Sequence, residues 1–191
     1  MAALPSNAVT EPRPPHPGAD MERFVREQMA FVGLGDADIA LIRRTASHVL
    51  AHADALTTAL YDHFLQFPES ALFFVREDGS PDRDRIDRRK HSLARWLTEV
   101  ASVPTEHGIV YYLLGVALAH SHRAERPGGT IPLPLMVGAM SLTQTALAGV
   151  LRAELTDARE ALDTAVAWNK LLLVHLNVLL LGYLLPGADR G

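Results

Sequence analysis

Apolar residues recur at three- and four-residue steps along most of this chain, which is the spacing of one face of an α-helix. The longest such run covers residues 39–64 and is followed by Pro68. Because helices of globular proteins average about 10 to 14 residues, we expect a bend or break inside this run, and Pro68 should end it. No stretch alternates as a half-buried strand does, and no internal repeat is evident. The sequence therefore predicts an all-α fold.

Start and stop signals place further helices along the chain. The first begins after Asp20 and stops at Gly33 and Gly35. Ser80 and Pro81 form another start, in which a capping hydroxyl is followed by a proline in the first turn. Further helices are predicted after Pro104, over residues 133–151 and over residues 157–185.

Residues 171–185 are nearly all apolar and raise the question of a membrane span. This run is shorter than the roughly 20 residues that cross a bilayer, and His175 and Asn177 interrupt it. We therefore interpret it as a helix buried on several sides, in the core or in a dimer interface, and expect no membrane partner.

Length and composition favour a single domain. A chain of 191 residues with 48% hydrophobic content can bury one sizeable core, which we assign to residues 20–188. Residues 1–19 contain five prolines, which remove backbone donors, so this segment is predicted to be a flexible arm. The chain has no cysteine, which excludes disulfides, thiolate metal sites and a cysteine nucleophile.

The charge pattern argues against nucleic acid as a partner. The net charge is -4 and the pI is near 6.1, whereas phosphate binding needs a clustered positive surface. The basic run at residues 83–90 is interleaved with Asp84 and Asp87, and we interpret it as a solvated helix face. The N-terminus lacks a basic region followed by an apolar run, so we expect no secretory signal and a cytoplasmic location.

Residues 111–122 form the end of an apolar helix that leads into Pro127 and Gly128. His120 lies near that end, where an imidazole held at a fixed height can offer a neutral nitrogen to a metal such as haem iron. A lone histidine on an apolar helix is, however, more often a hydrogen-bonded core residue. His122 is the competing ligand and lies on a different side of the helix. No His-Glu-x-x-His pattern provides a zinc site.

The segment Val116-Ala117-Leu118-Ala119-His120 resembles the proximal helix of protoglobins and of the sensor globins of bacterial globin-coupled sensors, with Ala117 where the family more often has glycine. Tyr61, Pro68 and the pair Phe73-Phe74 follow the family's order of a tyrosine, a proline and an aromatic pair. The resemblance covers about residues 20–185. It implies an all-α, globin-like helical sandwich with an extra N-terminal helix, and haem b as the cofactor.

The same resemblance implies roles for two side chains. His120 would bind the iron. Tyr61 would stand over the open face of the haem and donate a hydrogen bond to bound dioxygen, contributing on the order of 1 kcal/mol, while carbon monoxide gains less. Without the resemblance, Tyr61 is equally well explained as an amphipathic tyrosine at a helix surface.

The walls of the implied pocket depart from the single-domain protoglobins. Leu60 stands where those proteins carry a tryptophan, Leu93 where they carry a phenylalanine, and Ala139 or Met140 near a further aromatic position. Aliphatic residues there should leave an apolar distal cavity of a different shape. The remaining predicted wall residues, each equally explicable as ordinary core, are Phe64, Phe74, Leu97, Val116, Met136 and Val137.

The implied function is reversible binding of diatomic gases, namely dioxygen, carbon monoxide or nitric oxide, for sensing, storage or detoxification. Two alternatives stay open: a haem enzyme of the nitric oxide dioxygenase or peroxidase-like kind, and a haem-free globin-like signalling module. No reductase domain or acid–base pair for peroxide cleavage is recognisable, which ranks the enzyme below gas binding. The family often pairs through its last helices, so we expect a homodimer. We expect no output domain of the cyclase or methyl-acceptor kind, so a sensor would need a separate signalling partner and an enzyme a separate reductase.

Overall fold

The computed structural model describes residues 21–101, 107–122 and 129–184. The expected arm at residues 1–19, the helix start at Pro104, the turn at Pro127 and Gly128, and the helix end at Leu185 lie outside the described residues. The described residues form eight α-helices and one short 3-10 helix, with no β-strand, which confirms the all-α prediction. The elements are α1 (Met21–Phe31), α2 (Asp36–Ala51), α3 (Ala53–Leu65), α4 (Pro68–Ala71), the 3-10 helix (Leu72–Phe74), α5 (Arg83–Ala101), α6 (His107–Ser121), α7 (Leu133–Glu154) and α8 (Ala158–Leu184).

The long apolar run of residues 39–64 is broken at His52, between α2 and α3, as expected. The backbone of His52 leaves the helical region, with φ -103° and ψ 5°. Its imidazole Nε2 lies 2.8 Å from Oε1 of Glu154, at the end of α7. The corner between α2 and α3 is therefore tied to a distant part of the chain.

The start of α5 differs from the sequence expectation. The hydroxyl of Ser80 donates to Oδ1 of Asp78 over 2.6 Å and does not cap the helix. Oδ1 of Asp82 instead accepts a hydrogen bond from the backbone N–H of Arg85 over 3.1 Å, and the helix begins at Arg83. The prediction of a start at Ser80 was therefore wrong by a few residues, because Asp82 supplies the capping oxygen.

The last helix, α8, forms the centre of the core and packs against α1, α2, α6 and α7. Its Trp168 is almost fully buried, and the indole N–H donates to the hydroxyl of Thr45 over 3.4 Å. Near its C-terminal end α8 lies very close to α6, because a Cβ added at Gly182 would overlap Ala117 and lie only 2.9 Å from the carbonyl carbon of that residue. A side chain larger than hydrogen at position 182 would therefore separate the two helices.

Two of the described helices, α7 and α8, are long and apolar enough to cross a membrane by length and composition alone. Residues 171–185 were expected to be too short to span, but residues 171–184 belong to a helix of 27 residues, so that length argument does not hold. The apolar window of α8 is 56% buried inside the protein. A core helix of a soluble protein can have the same length and composition as a membrane-spanning helix, so these two properties do not identify a span. The corresponding window of α7 is only 17% buried.

Candidate functional site

A cavity of about 520 Å³, which we name the main cavity, lies among α3, α5, α6 and α7. Most of its lining is apolar, and the polar side chains are few. Cavities of this size and character are typical of small-molecule and cofactor sites, which span roughly 300 to 1,000 Å³. A smaller cavity of about 110 Å³, the side cavity, shares Tyr61, Phe73, Phe74, Arg89, His120 and Ile131 with it.

His120 lies in the last turn of α6 and lines both cavities. Its backbone carbonyl accepts a hydrogen bond from the N–H of Ile131 over 2.9 Å. The last carbonyls of a helix have no partner within the helix, and this bond supplies one for His120. The competing residue His122 lines neither cavity. Its Nδ1 lies 2.6 Å from the hydroxyl oxygen of Ser121. The position of His120 thus suits a ligand better than that of His122.

Tyr61 lies on α3 and is 8% exposed. The rings of Phe64 and Phe74 meet it edge-on, with centroids 5.6 and 5.3 Å away. Burial raises the pKa of the Tyr61 phenol to about 12, although the Arg89 guanidinium nearby acts in the opposite direction. The hydroxyl is therefore protonated at neutral pH and available as a hydrogen-bond donor.

Tyr112, on α6, also lines the main cavity. Its phenol has a raised pKa, chiefly because of burial and then because of Glu99, while Arg95 and Arg89 act in the opposite direction. One cation, Arg89, therefore lies near both phenols of the cavity.

Six of the eight wall residues predicted from the sequence line the main cavity, and two do not. The six are Leu60, Phe64, Phe74, Leu93, Val116 and Met136. Leu97 is 1% exposed and packs in the core instead, because Trp96, one position earlier on α5, occupies the cavity wall. Val137 follows the wall residue Met136 on α7, is 43% exposed and lies on the outer surface. Each was misplaced by a single position, which turns a helical side chain by about 100°.

Several lining residues were not predicted, and Arg89 is the most informative. The basic run at residues 83–90 was interpreted as a solvated face, yet Arg89 lines both cavities and Arg85 lines the side cavity. Arg85 also donates to the carbonyl of Phe73 over 3.3 Å. Both arginines continue the stripe of Leu93 toward the helix start at four-residue steps, so helical spacing could have found them.

The family's further aromatic position was expected near Ala139 or Met140, and both residues line the main cavity, as does Trp96. His63 lines it as well and packs against Phe67, with ring centroids 4.8 Å apart. Among the described residues, no group of three His, Asp or Glu side chains is arranged to hold a metal ion.

Solved structures with a similar fold are globin domains. The globin domain of the Geobacter sulfurreducens globin-coupled sensor matches with a TM-score of 0.69 and 18% identity, over 83% of this chain and 96% of that chain. The ferric form of the globin domain of E. coli DosC matches with a TM-score of 0.64 and 18% identity, over 83% of this chain and 98% of that chain. At these identities the likeness shows the fold alone, and it confirms the globin-like helical architecture.

Comparison with curated proteins gives no match to the chain. The protoglobin family model, by contrast, matches residues 21–187, which is most of the sequence. This match agrees with the resemblance seen in the segment that ends at His120 and in the aromatic residues that follow Tyr61. The chain belongs to the protoglobin family.

Proposed function

We propose that this protein binds haem in the main cavity and, through the haem iron, a diatomic gas. The observation that carries the proposal is that His120 from α6 and Tyr61 from α3 line one apolar cavity of about 520 Å³. Membership of the protoglobin family supports it, since globins are haem proteins. When bound, the haem supplies an iron with an open position for a gas.

The side chains of the cavity fit such a group. The imidazole of His120 would hold the iron, and the apolar walls would cover the ring and exclude water. Among the described residues no carboxylate lies within ion-pair distance of Arg89, so its guanidinium remains available for the acidic edge of a haem. Because the chain has no cysteine, thioether attachment is excluded and haem b is the type we propose.

Tyr61 would select among gases by hydrogen bonding. Burial raises the pKa of its phenol to about 12, so the hydroxyl stays protonated at neutral pH and would donate a hydrogen bond to a gas that carries partial negative charge, such as dioxygen. Such a bond contributes about 1 kcal/mol, which corresponds to about five-fold slower release of dioxygen. Carbon monoxide carries less charge and would be held less by the same donor.

The use of the bound gas is proposed by analogy with relatives. The G. sulfurreducens relative is the globin domain of a globin-coupled sensor, so we propose sensing ahead of storage or detoxification. A separate signalling partner would read the gas-bound state. No observation on the described residues favours turnover of nitric oxide or peroxide over binding.

The test is the ultraviolet-visible spectrum of the purified chain after haem is added, with His120→Ala and His122→Ala beside it. The wild-type protein should show a strong haem band that shifts when the reduced form meets carbon monoxide. His120→Ala should lose or alter this band, because the proposed iron ligand is gone. His122→Ala, a matched control two residues away, should keep the wild-type spectrum.

Two outcomes would contradict these expectations. A wild-type chain that shows no haem band after addition of haem would sink the proposal and leave the haem-free signalling module. A band lost in His122→Ala but kept in His120→Ala would keep haem binding and reassign the ligand.

A further inference from the structure

The residue that ties His120 to the rest of the protein is Ile131. Its N–H donates to the carbonyl of His120 over 2.9 Å, and its own carbonyl accepts a hydrogen bond from the hydroxyl of Tyr183 over 3.0 Å. Tyr183 lies near the end of α8. One residue thus links the end of the helix that carries His120 to the C-terminal part of the central helix.

The neighbouring residue of α8 holds the same helix end. The hydroxyl of Ser121 lies 2.8 Å from the carbonyl oxygen of Gly182 and 2.9 Å from that of Ala117. A hydroxyl has one hydrogen, so it donates to one of these at a time. Gly182 and Ala117 also pack with no room for a Cβ at position 182. The last turn of α6 is therefore in contact with Gly182 of α8 and is linked to the next residue, Tyr183, through Ile131.

These attachments matter for the cavities because the last turn of a helix is its least constrained part. The final carbonyls lack intrahelical partners, and the end frays unless other groups bind them. The N–H of Ile131 satisfies the carbonyl of His120 itself, and both residues line the main cavity and the side cavity. A change in the position of Ile131 would move a cavity wall and the support of His120 together.

We propose that Tyr183 is a positioning residue for His120 and acts through Ile131. Its hydroxyl holds Ile131 in the place from which the Ile131 N–H fixes the end of α6. The proposal rests on the proposed function in one respect, since it takes His120 as the ligand that needs fixing. The same contacts would make the end of α8 sensitive to what the main cavity holds, because His120, Ile131 and Tyr183 connect the cavity to that helix end.

The test is Tyr183→Phe, which removes the hydroxyl and keeps the ring. The matched control is Thr145→Val, which removes a hydroxyl that donates within α7, to the carbonyl of Ser141 over 3.0 Å. On the chain of 191 residues without added haem, amide hydrogen exchange at Ile131 should become about five-fold faster in Tyr183→Phe, the factor expected for one hydrogen bond. The ring resonance of His120, assigned with His120→Ala, should shift as well.

With haem bound, the iron–histidine stretching band of the reduced protein should shift in Tyr183→Phe and stay unchanged in Thr145→Val. Unchanged exchange at Ile131 in Tyr183→Phe would overturn the proposal. Faster exchange with unchanged His120 resonance and iron–histidine band would overturn it too, because Tyr183 would then stabilise the loop without positioning the imidazole. If the wild-type chain takes up no haem, the proposed function fails, while the exchange rate and the His120 resonance still decide the role of Tyr183.

Discussion

His175 lies in the core beside Trp96, with ring centroids 6.1 Å apart, and within the described part of the chain its Nδ1 has no hydrogen-bond partner. In the sequence, this histidine only interrupts an apolar run. It is 5% exposed, and burial lowers its pKa from 6.5 to about 4. A neutral imidazole can remain in such a place, but a charged one is costly there.

We predict that His175 makes the fold sensitive to acid. The folded-state pKa lies below the unfolded one, so between pH 6.5 and 4 the unfolded chain binds a proton that the folded chain does not. Stability should be complete above pH 6.5 and fall toward pH 4, by up to about 3 kcal/mol. Urea unfolding of the wild type and of His175→Leu from pH 7 to 4.5 measures this, and the variant should lose less stability.

The exposed His91 supplies the control for this prediction. His91→Gln removes an exposed imidazole and leaves the buried one in place, so it should keep the wild-type dependence on pH. Equal pH dependence in His175→Leu and in the wild type would show that the buried imidazole is not the cause.

At the same scale, Leu97, Val137 and Arg89 mark the limit of sequence reasoning. The helical stripes were correct, but a stripe is several residues wide, and the spacing does not say which edge faces a cavity and which faces the core or solvent. Leu97 and Val137 lie at such edges. Arg89 was assigned by its charge, although its position on the stripe of Leu93 places it in the cavity wall.

At the scale of the elements, α6 and α8 make a close contact near the site, where Gly182 packs against Ala117. We predict that Gly182→Ala destabilises the protein by about 1 to 3 kcal/mol, because the added methyl overlaps Ala117. Urea unfolding at pH 7 provides the measurement. Gly149→Ala, on the exposed side of α7 with no atom within 4 Å of the added Cβ, should instead stabilise by about 0.5 to 1 kcal/mol.

A double mutant separates the overlap from other effects of the alanine. Combining Ala117→Gly with Gly182→Ala exchanges the two side chains across the contact and should cost less than the sum of the single changes. If the changes in the free energy of unfolding of the two single variants simply added up in the double mutant, the overlap would be relieved somewhere other than at residue 117. The sequence carried a hint of this contact, since Ala117 stands where the family more often has glycine.

The elements themselves were predictable where a local signal decides them. The break near residue 52 follows from the length of the apolar run, and the end of α1 from Gly33, whose φ of 68° suits glycine. The start of α5 was misplaced because Ser80 and Asp82 are both good caps, and the choice depends on the bond between Ser80 and Asp78. The contacts of Ile131 with His120 and Tyr183 join distant parts of the chain, and no local pattern announces them.

At the scale of the whole molecule, α8 is apolar on more than its buried side. Leu162, Val166 and Leu173 follow one another at helical spacing and are 64%, 45% and 36% exposed. An exposed apolar row of this kind often marks an interaction site, so we expect a second copy to cover it, in agreement with the homodimer expected from the sequence. Because the row runs along the same helix as Tyr183, a partner bound there would contact the element that supports His120.

Sedimentation equilibrium measures this expectation. The wild-type chain should be a dimer at micromolar concentration, and Val166→Glu should weaken the dimer at least ten-fold by placing a charge in the middle of the row. Phe31→Glu, which changes a side chain 87% exposed at the end of α1, is the control and should leave the dimer intact. If the wild type and both variants sediment as monomers, the row on α8 does not join two copies. Its apolar side chains would then have to be covered by a different partner, for which the proposed signalling protein is the first candidate to add to the same experiment.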